Sequence, residues 1–176
     1  MPTSLDDHKS SLYEHIRTVV LEHLPYRNKI LDVGPGIGIW GSNLQDLNMD
    51  AIEIHEPYIK KYKLHNFYNN IFVGNILDFN YDNYDYIILG DVIEHIHVEP
   101  AQKLIKDITS KGIKCLVSVP FLHEQGAVDG VESEIHHQPD LTPRVMKSRY
   151  PDLEVYLSTN HVKGYAYYTN YLKWVK

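Results

Sequence analysis

Four glycines, Gly34, Gly36, Gly38 and Gly41, follow directly on the apolar run Ile30-Leu31-Asp32-Val33. Glycine has no side chain to hold a ligand away, so such a turn suits close approach of backbone to something bound. Two registers fit. Gly36 to Gly41 is a G-x-G-x-x-G, the pattern that cradles a dinucleotide pyrophosphate. Asp32 to Gly38 is D-x-G-x-G-x-G, which suits a nucleoside without a pyrophosphate. Further on, Glu53 closes an apolar segment, where a carboxylate can accept both hydroxyls of a ribose. Two later stretches, DVIEHIHVEP (91–100) and VPFLHEQGAVDGVESEIHHQPDLTP (119–143), are rich in His, Glu and Asp. Histidine is the side chain whose ordinary pKa lies nearest neutrality, which makes His95 and His137 the candidate proton acceptors. A metal-free site is the first expectation. The alternative is a carboxylate–imidazole metal site of Glu94, His95 and His137, with Asp91 and His136 as further candidate ligands.

These residues must be positioned by regular elements. Leu12, Ile16, Val19, Val20 and Leu24 recur at helical spacing, which predicts an amphipathic helix over roughly 5–24, stopped by Pro25. A first strand is expected at about 29–33, and a helix from about Gly38 to Leu47 with Trp40, Leu44 and Leu47 on one face. A second strand over 50–54 leads to a helix that opens at Pro57 and runs to about His65. Strands at 71–73 and 84–89 follow, then a helix opened by Pro100 that turns Ala101, Leu104, Ile105 and Ile108 inward. A fifth strand (113–119) precedes a long irregular stretch from Pro120 to Leu141. Thr142-Pro143 caps a short helix to about Tyr150, and two strands (153–158 and 162–169) finish the chain as a hairpin. Strands alternating with helices mean βαβ units: an α/β fold with a doubly wound, mostly parallel sheet. In such a sheet the ligand lies beyond the carboxyl ends of the strands, near the topological switch point.

Composition bounds the setting. A chain of 176 residues with 43% hydrophobic and 23% charged residues reads as one domain, with no internal repeat or linker. The net charge of −6 argues against a broad nucleic-acid surface. The lone cysteine, Cys115, sits in an apolar run, so no internal disulfide forms; this fits a reducing, cytoplasmic setting. No apolar run is long enough for a membrane span, and the first eight residues are too polar for a signal peptide.

The second glycine register is the better one. Asp32 stands where a dinucleotide fold carries an apolar residue, and Pro35 suits a turn already begun at Gly34. The chain also has no room for a substrate domain after a nucleotide domain. LDVGPGIG resembles the first motif of the class I S-adenosylmethionine-dependent methyltransferases. The resemblance continues in order through AIEI, GNILDF, YDYIILGDVIEHI and CLVSVP, over roughly Ile30 to Pro120. It implies a seven-stranded Rossmann-like sheet with an antiparallel final strand, and S-adenosyl-L-methionine as cofactor. It implies cofactor contacts from Asp32, Gly34, Pro35, Gly36, Gly38 and Ile54, with Glu53 at the ribose. Asn75 and Ile76 would flank adenine, the Asn75 side chain facing the exocyclic amine, and Gly90 and Asp91 would meet the methionine end. The family more often carries Asp at the Asn75 position.

Plainer readings stand beside these. Asp32 could cap the turn, Glu53 could be a solvated strand-end acid and Asn75 a turn residue. His95 could be a helix-start histidine and His137 a loop anchor. On the acceptor side, residues 91–95 with 137–142 are faintly similar to metal-dependent small-RNA 2′-O-methyltransferases. Those carry Glu at the Asp91 position and aromatics where Pro139 and Leu141 stand, and these departures argue against RNA. The loop looks more like those of sugar, lipid and small-metabolite methyltransferases. The expected reaction is therefore methyl transfer to a small-molecule or glycan acceptor, at a hydroxyl, with His95 and His137 converging there and 125–137 covering the acceptor. The rivals are an NAD-type oxidoreductase and a non-catalytic cofactor-binding or scaffold domain of the same fold.

Overall fold

The computed structural model describes residues 29–159 and 165–170. The helix expected over 5–24, its stop at Pro25 and the first residues of the final expected strand lie outside the described residues. In chain order the elements are β1 (Lys29–Val33), α1 (Ile39–Asn43), β2 (Asn48–Glu53), α2 (Pro57–Lys61), β3 (Ile71–Val73) and β4 (Tyr86–Gly90). Then come α3 (Val98–Ser110), β5 (Lys114–Pro120), α4 (Pro143–Arg149), β6 (Glu154–Thr159) and β7 (Tyr165–Thr169).

The seven strands form one sheet in the order β3-β2-β1-β4-β5-β7-β6. β1 pairs in parallel with both β2 and β4, whereas β7 runs antiparallel to β5 and β6. The chain leaves β1 toward one edge and returns to β4 on the other side, so the crevice opens above the carboxyl ends of this pair. The central strands are apolar on both faces because both faces are covered. Ile30, Tyr86, Ile88 and Leu116 pack with Trp40, Leu44, Leu64 and Tyr68 on one side. Leu31, Ile87, Leu89 and Val117 pack with Ala101, Leu104, Ile105 and Ile108 of α3 on the other.

Two helices are shorter than the periodicity predicts. α1 ends at Asn43 instead of Leu47, although Leu44 stays buried. The Ser42 hydroxyl and the Asn43 amide both donate to the Ile39 carbonyl, which competes with helix propagation. α2 ends at Lys61 because Lys63 takes a left-handed conformation (φ 54°), and a single 3₁₀ turn, Leu64–Asn66, follows. α3 instead starts earlier, at Val98; Pro100 falls in its first turn, where no backbone N–H is required. α4 opens as expected, the Thr142 hydroxyl accepting the Val145 N–H at 3.2 Å.

Close packing under the crevice leaves no room for a side chain at Gly90. A Cβ on Gly90, the last residue of β4, would lie 2.3 Å from Trp40 Nε1. Gly90→Ala is therefore expected to displace the indole and destabilise the fold by about 1–3 kcal/mol. A urea midpoint equal to wild type would show that Trp40 yields without strain.

Candidate active site

A cavity of about 660 Å³ opens above the carboxyl ends of β1, β2, β4 and β5. Its volume falls within the range of about 300–1,000 Å³ typical of cofactor and small-molecule sites. Gly34, Pro35 and Gly36 form its floor, with φ of 59° at Gly34 and 52° at Gly36. Glu53, Ile54, Asn75, Ile76, Gly90 and Asp91 also line it, as do His95 and His137.

Two residues of the glycine motif lie elsewhere. Asp32 is fully buried and does not line the cavity. Its side chain lies on the Ile30 face of β1, where Oδ2 accepts the Tyr68 hydroxyl at 2.5 Å; that hydroxyl in turn accepts the Gly41 N–H at 3.0 Å. Asp32 thus reaches the turn's amides through a phenol and not directly. Burial pushes its carboxyl up to about 7 against the opposing hydrogen bond from Tyr68, and the charge of Glu53 adds to the rise. Gly38 serves packing: a Cβ there would meet Phe67 Cδ2 at 2.9 Å and Leu64 Cδ2 at 3.0 Å.

Glu53 ends β2 and is 3% exposed, yet its carboxylate borders the cavity. Oε1 accepts the His55 N–H at 2.7 Å, and the Gly36 backbone also donates to the carboxylate. Burial raises its pKa against these hydrogen bonds. The glycine turn and the acid therefore hold each other. Beside them Ile54, Ile37 and Leu77 line the cavity with large apolar surfaces that are 51%, 59% and 40% exposed. Asn75 Oδ1 accepts the Leu77 N–H at 3.0 Å and caps the 76–78 turn. That oxygen is already engaged, which weakens the expected contact to an exocyclic amine and leaves the amide nitrogen as the side chain's donor.

The acceptor side is built by the turn Ile93–His95 after β4 and by residues 121–141 after β5. The loop is closed at its neck by Leu122 N–H to Leu141 O (3.0 Å) and tied internally by Gln125 Nε2 to Glu134 O (2.8 Å). It reaches across to α2, where the Tyr58 hydroxyl bonds to Glu134; burial and that carboxylate push Tyr58 up to about 12. Glu94 O accepts the N–H groups of His137 (2.8 Å) and Gln138 (3.1 Å), which pins the loop against the 93–95 turn.

His95 and His137 both line the cavity, but their rings take different neighbours. The ring beside His95 is that of His136, with centroids 4.6 Å apart, whereas His137 stacks on His97 at 3.8 Å. With the His137 N–H committed to Glu94 O, the two neighbouring rings take different partners. Burial, then the neighbouring His136, lowers the His95 pKa. Burial, then the charge of Asp91, raises the Glu94 carboxyl well above the usual range. Asp91 itself sits at φ 56°, and its Oδ1 accepts the Ser118 hydroxyl at 3.3 Å. Sequence reasoning did not single out Tyr58, Glu134, Ile37 or Leu77 for the site. The pattern Asn75-Ile76-Leu77, apolar yet preceded by a capping residue, could have flagged Leu77; nothing local marks Tyr58 or Glu134.

Among the described residues, no lysine or arginine lines this cavity, whereas Glu53, Asp91, Glu94 and Glu134 do. No helix of the described residues is long and apolar enough to cross a membrane.

A family model described as "Methyltransferase domain" matches residues 6–151. No curated protein matches the chain. Among solved structures, an S-adenosylmethionine-dependent methyltransferase from Clostridium acetobutylicum is 12% identical with a TM-score of 0.65, covering 89% of each chain. The glycopeptide N-methyltransferase MtfA is 12% identical with a TM-score of 0.60 over 89% of this chain and 88% of its own. NcsB1, an O-methyltransferase from neocarzinostatin biosynthesis in complex with S-adenosyl-L-homocysteine and 1,4-dihydroxy-2-naphthoic acid, is 13% identical with a TM-score of 0.57. It is matched over 93% of this chain but 56% of its own. At these identities the likeness is one of fold.

Proposed function

The chain belongs to the methyltransferase-domain family, and from that premise we propose that it transfers the methyl group of S-adenosyl-L-methionine to a hydroxyl of a small-molecule or glycan acceptor. When bound, this cofactor supplies an electrophilic methyl group on a sulfonium. The observation that carries the reading is the lining of the cavity: four carboxylates, no lysine or arginine, and exposed apolar side chains beside Glu53. A dinucleotide pyrophosphate asks for positive charge, whereas a sulfonium with an ammonium group asks for negative charge. Glu53 accepts the ribose hydroxyls, Ile54 and Leu77 flank the base, and the Gly34–Gly36 backbone lies under the chain that bears the sulfonium. Asn75 turns its amide nitrogen toward the base. On the acceptor side His137 takes the hydroxyl proton and His95 orients the oxygen. The acidic lining also disfavours RNA as acceptor, and a single buried free thiol is compatible with a reducing compartment such as the cytoplasm. A small oxygen acceptor accords with NcsB1, whose structure holds a dihydroxynaphthoic acid; MtfA, an N-methyltransferase, marks nitrogen as the competing choice.

Thermal unfolding tests the cofactor. S-adenosyl-L-homocysteine at a hundredfold excess over its Kd is expected to stabilise the fold by about 2.7 kcal/mol. A shift with NAD and none with S-adenosyl-L-homocysteine would transfer the case to an oxidoreductase. Glu53→Ala is expected to weaken binding by roughly ten- to a hundredfold, the loss of a charged acceptor being worth about 1.5–3 kcal/mol. The variant should still fold cooperatively, because a strand-end carboxylate facing the cavity supports little of the core. Calorimetry showing unchanged affinity in folded Glu53→Ala would refute the ribose assignment. Transfer of labelled methyl to a fractionated host extract, with mass spectrometry of the product, identifies the acceptor and the atom.

A further inference from the structure

Glu94 is counted in the acidic lining above but given no catalytic role there, yet it is the most anomalous group in the cavity. Its side chain is 1% exposed, and neither carboxylate oxygen has a hydrogen-bond partner. Burying a carboxylate is strongly unfavourable unless a cation or donors complete it. His95 Nδ1 is likewise buried without a partner, and the His136 ring stands edge-on to His95 at 4.6 Å. His136 Nδ1 lies 2.9 Å from the His123 carbonyl oxygen. A proton held there leaves the lone pair on Nε2, the arrangement by which a backbone carbonyl orients a metal-binding imidazole. One donor atom from each of Glu94, His95 and His136 lies within 4.8 Å of the others; among the described residues this is the only such group of three.

We propose that Glu94, His95 and His136 bind a divalent transition-metal ion of the zinc type, and that the acceptor's hydroxyl oxygen takes the remaining position. The second half rests on the hydroxyl acceptor proposed above. Two imidazoles and one carboxylate suit zinc and its neighbours, whereas calcium and magnesium favour sites built from oxygen alone. Bonds of about 2.0–2.1 Å place tetrahedral ligand atoms about 3.3 Å apart, so movements of about an ångström close the set. Three protein ligands leave a fourth position open, as in catalytic and not structural zinc sites. An oxygen held there loses its proton at lower pH. That proton passes to His137; the oxygen's electron pair forms the bond to the methyl carbon, and the carbon–sulfur pair returns to sulfur. The backbone bonds from His137 and Gln138 to Glu94 O bring both halves of the site together across more than forty positions of sequence. The metal set therefore contains His136 where the sequence suggested His137.

The test is titration of chelator-treated protein with cobalt(II), followed by its visible absorption, and with zinc by calorimetry. S-adenosyl-L-homocysteine affinity is measured on the same samples. Wild type is expected to bind one equivalent. His136→Ala and Glu94→Gln are expected to lose at least about a hundredfold in metal affinity, while S-adenosyl-L-homocysteine still binds and so reports an intact fold. His137→Ala is expected to bind metal as wild type does. Absence of stoichiometric binding to wild type, or binding indifferent to His136→Ala, would overturn the proposal; so would loss on His137→Ala alone. Failure of S-adenosyl-L-homocysteine to bind would instead strike the functional reading and leave the metal site standing.

Discussion

Replacing His137 by alanine is expected to slow methyl transfer by about 10²–10⁴-fold, the usual worth of a positioned proton acceptor. The ring lines the cavity and is held by stacking on His97, with centroids 3.8 Å apart. What anchors residue 137 to the 93–95 turn is its backbone N–H on Glu94 O, which alanine keeps. The loop therefore retains its path, and the affinity for S-adenosyl-L-homocysteine should stay within about twofold of wild type. Glu53 and Ile54, which hold the adenosine end of the proposed site, lie at the end of β2 and just after it, while residue 137 belongs to the loop after β5. A structural role would instead lower stability and cofactor affinity together. An undiminished initial rate with the labelled acceptor fraction would remove His137 from the chemistry. Positioning of the acceptor would then be the main contribution of this side of the cavity.

The difference between His136 and His137 shows where sequence reasoning ended. Adjacent residues cannot both face the same neighbour, and which one does depends on the path of the 121–141 loop. That path is set by bonds such as His136 N–H to Gln125 O and His137 N–H to Glu94 O, neither of which any local pattern encodes. The sheet was legible for the opposite reason. Ile30 and Leu31 are neighbours that pack into different cores, so a strand covered on both faces is a near-continuous apolar run, interrupted in β1 only by the buried Asp32. The ends of β1 and β2 follow from that run, and so do Gly34, Gly36 and Glu53 at the cavity. The lengths of α1 and α2 were less legible, because Ser42, Asn43 and Lys63 end them through local hydrogen bonds and a left-handed residue while the apolar spacing continues. Asp32 was read from its spacing as a ligand-side residue. Its actual partner, Tyr68, lies 36 positions away on a segment whose sequence carries no mark of the contact.

That buried acid yields the second large prediction, one of stability against pH. In the unfolded chain an aspartate has a pKa of about 3.9; in the fold, burial pushes Asp32 up to about 7. Below pH 4 both states hold the proton and the group costs nothing. Between pH 4 and 7 the unfolded chain releases the proton while the fold retains it, so the contribution of Asp32 to stability falls as pH rises. Above 7 the loss is complete. A difference of about three pH units corresponds to about 4 kcal/mol. Asp32→Asn removes the titration while keeping an oxygen that can accept the Tyr68 hydroxyl. Its nitrogen takes the place of Oδ1, which has no partner in wild type, and adds an offset that does not vary with pH. The informative quantity is therefore the difference in unfolding free energy between variant and wild type. That difference is expected to move in favour of Asp32→Asn by up to about 4 kcal/mol from pH 4 to pH 8, measured by urea unfolding at each pH. A difference that stays flat would mean that Asp32 is ionised in the fold at pH 4 and above. Tyr68 and the Gly41 amide beyond it would then hold a permanent negative charge beneath the glycine turn, adding to the carboxylates that line the cavity.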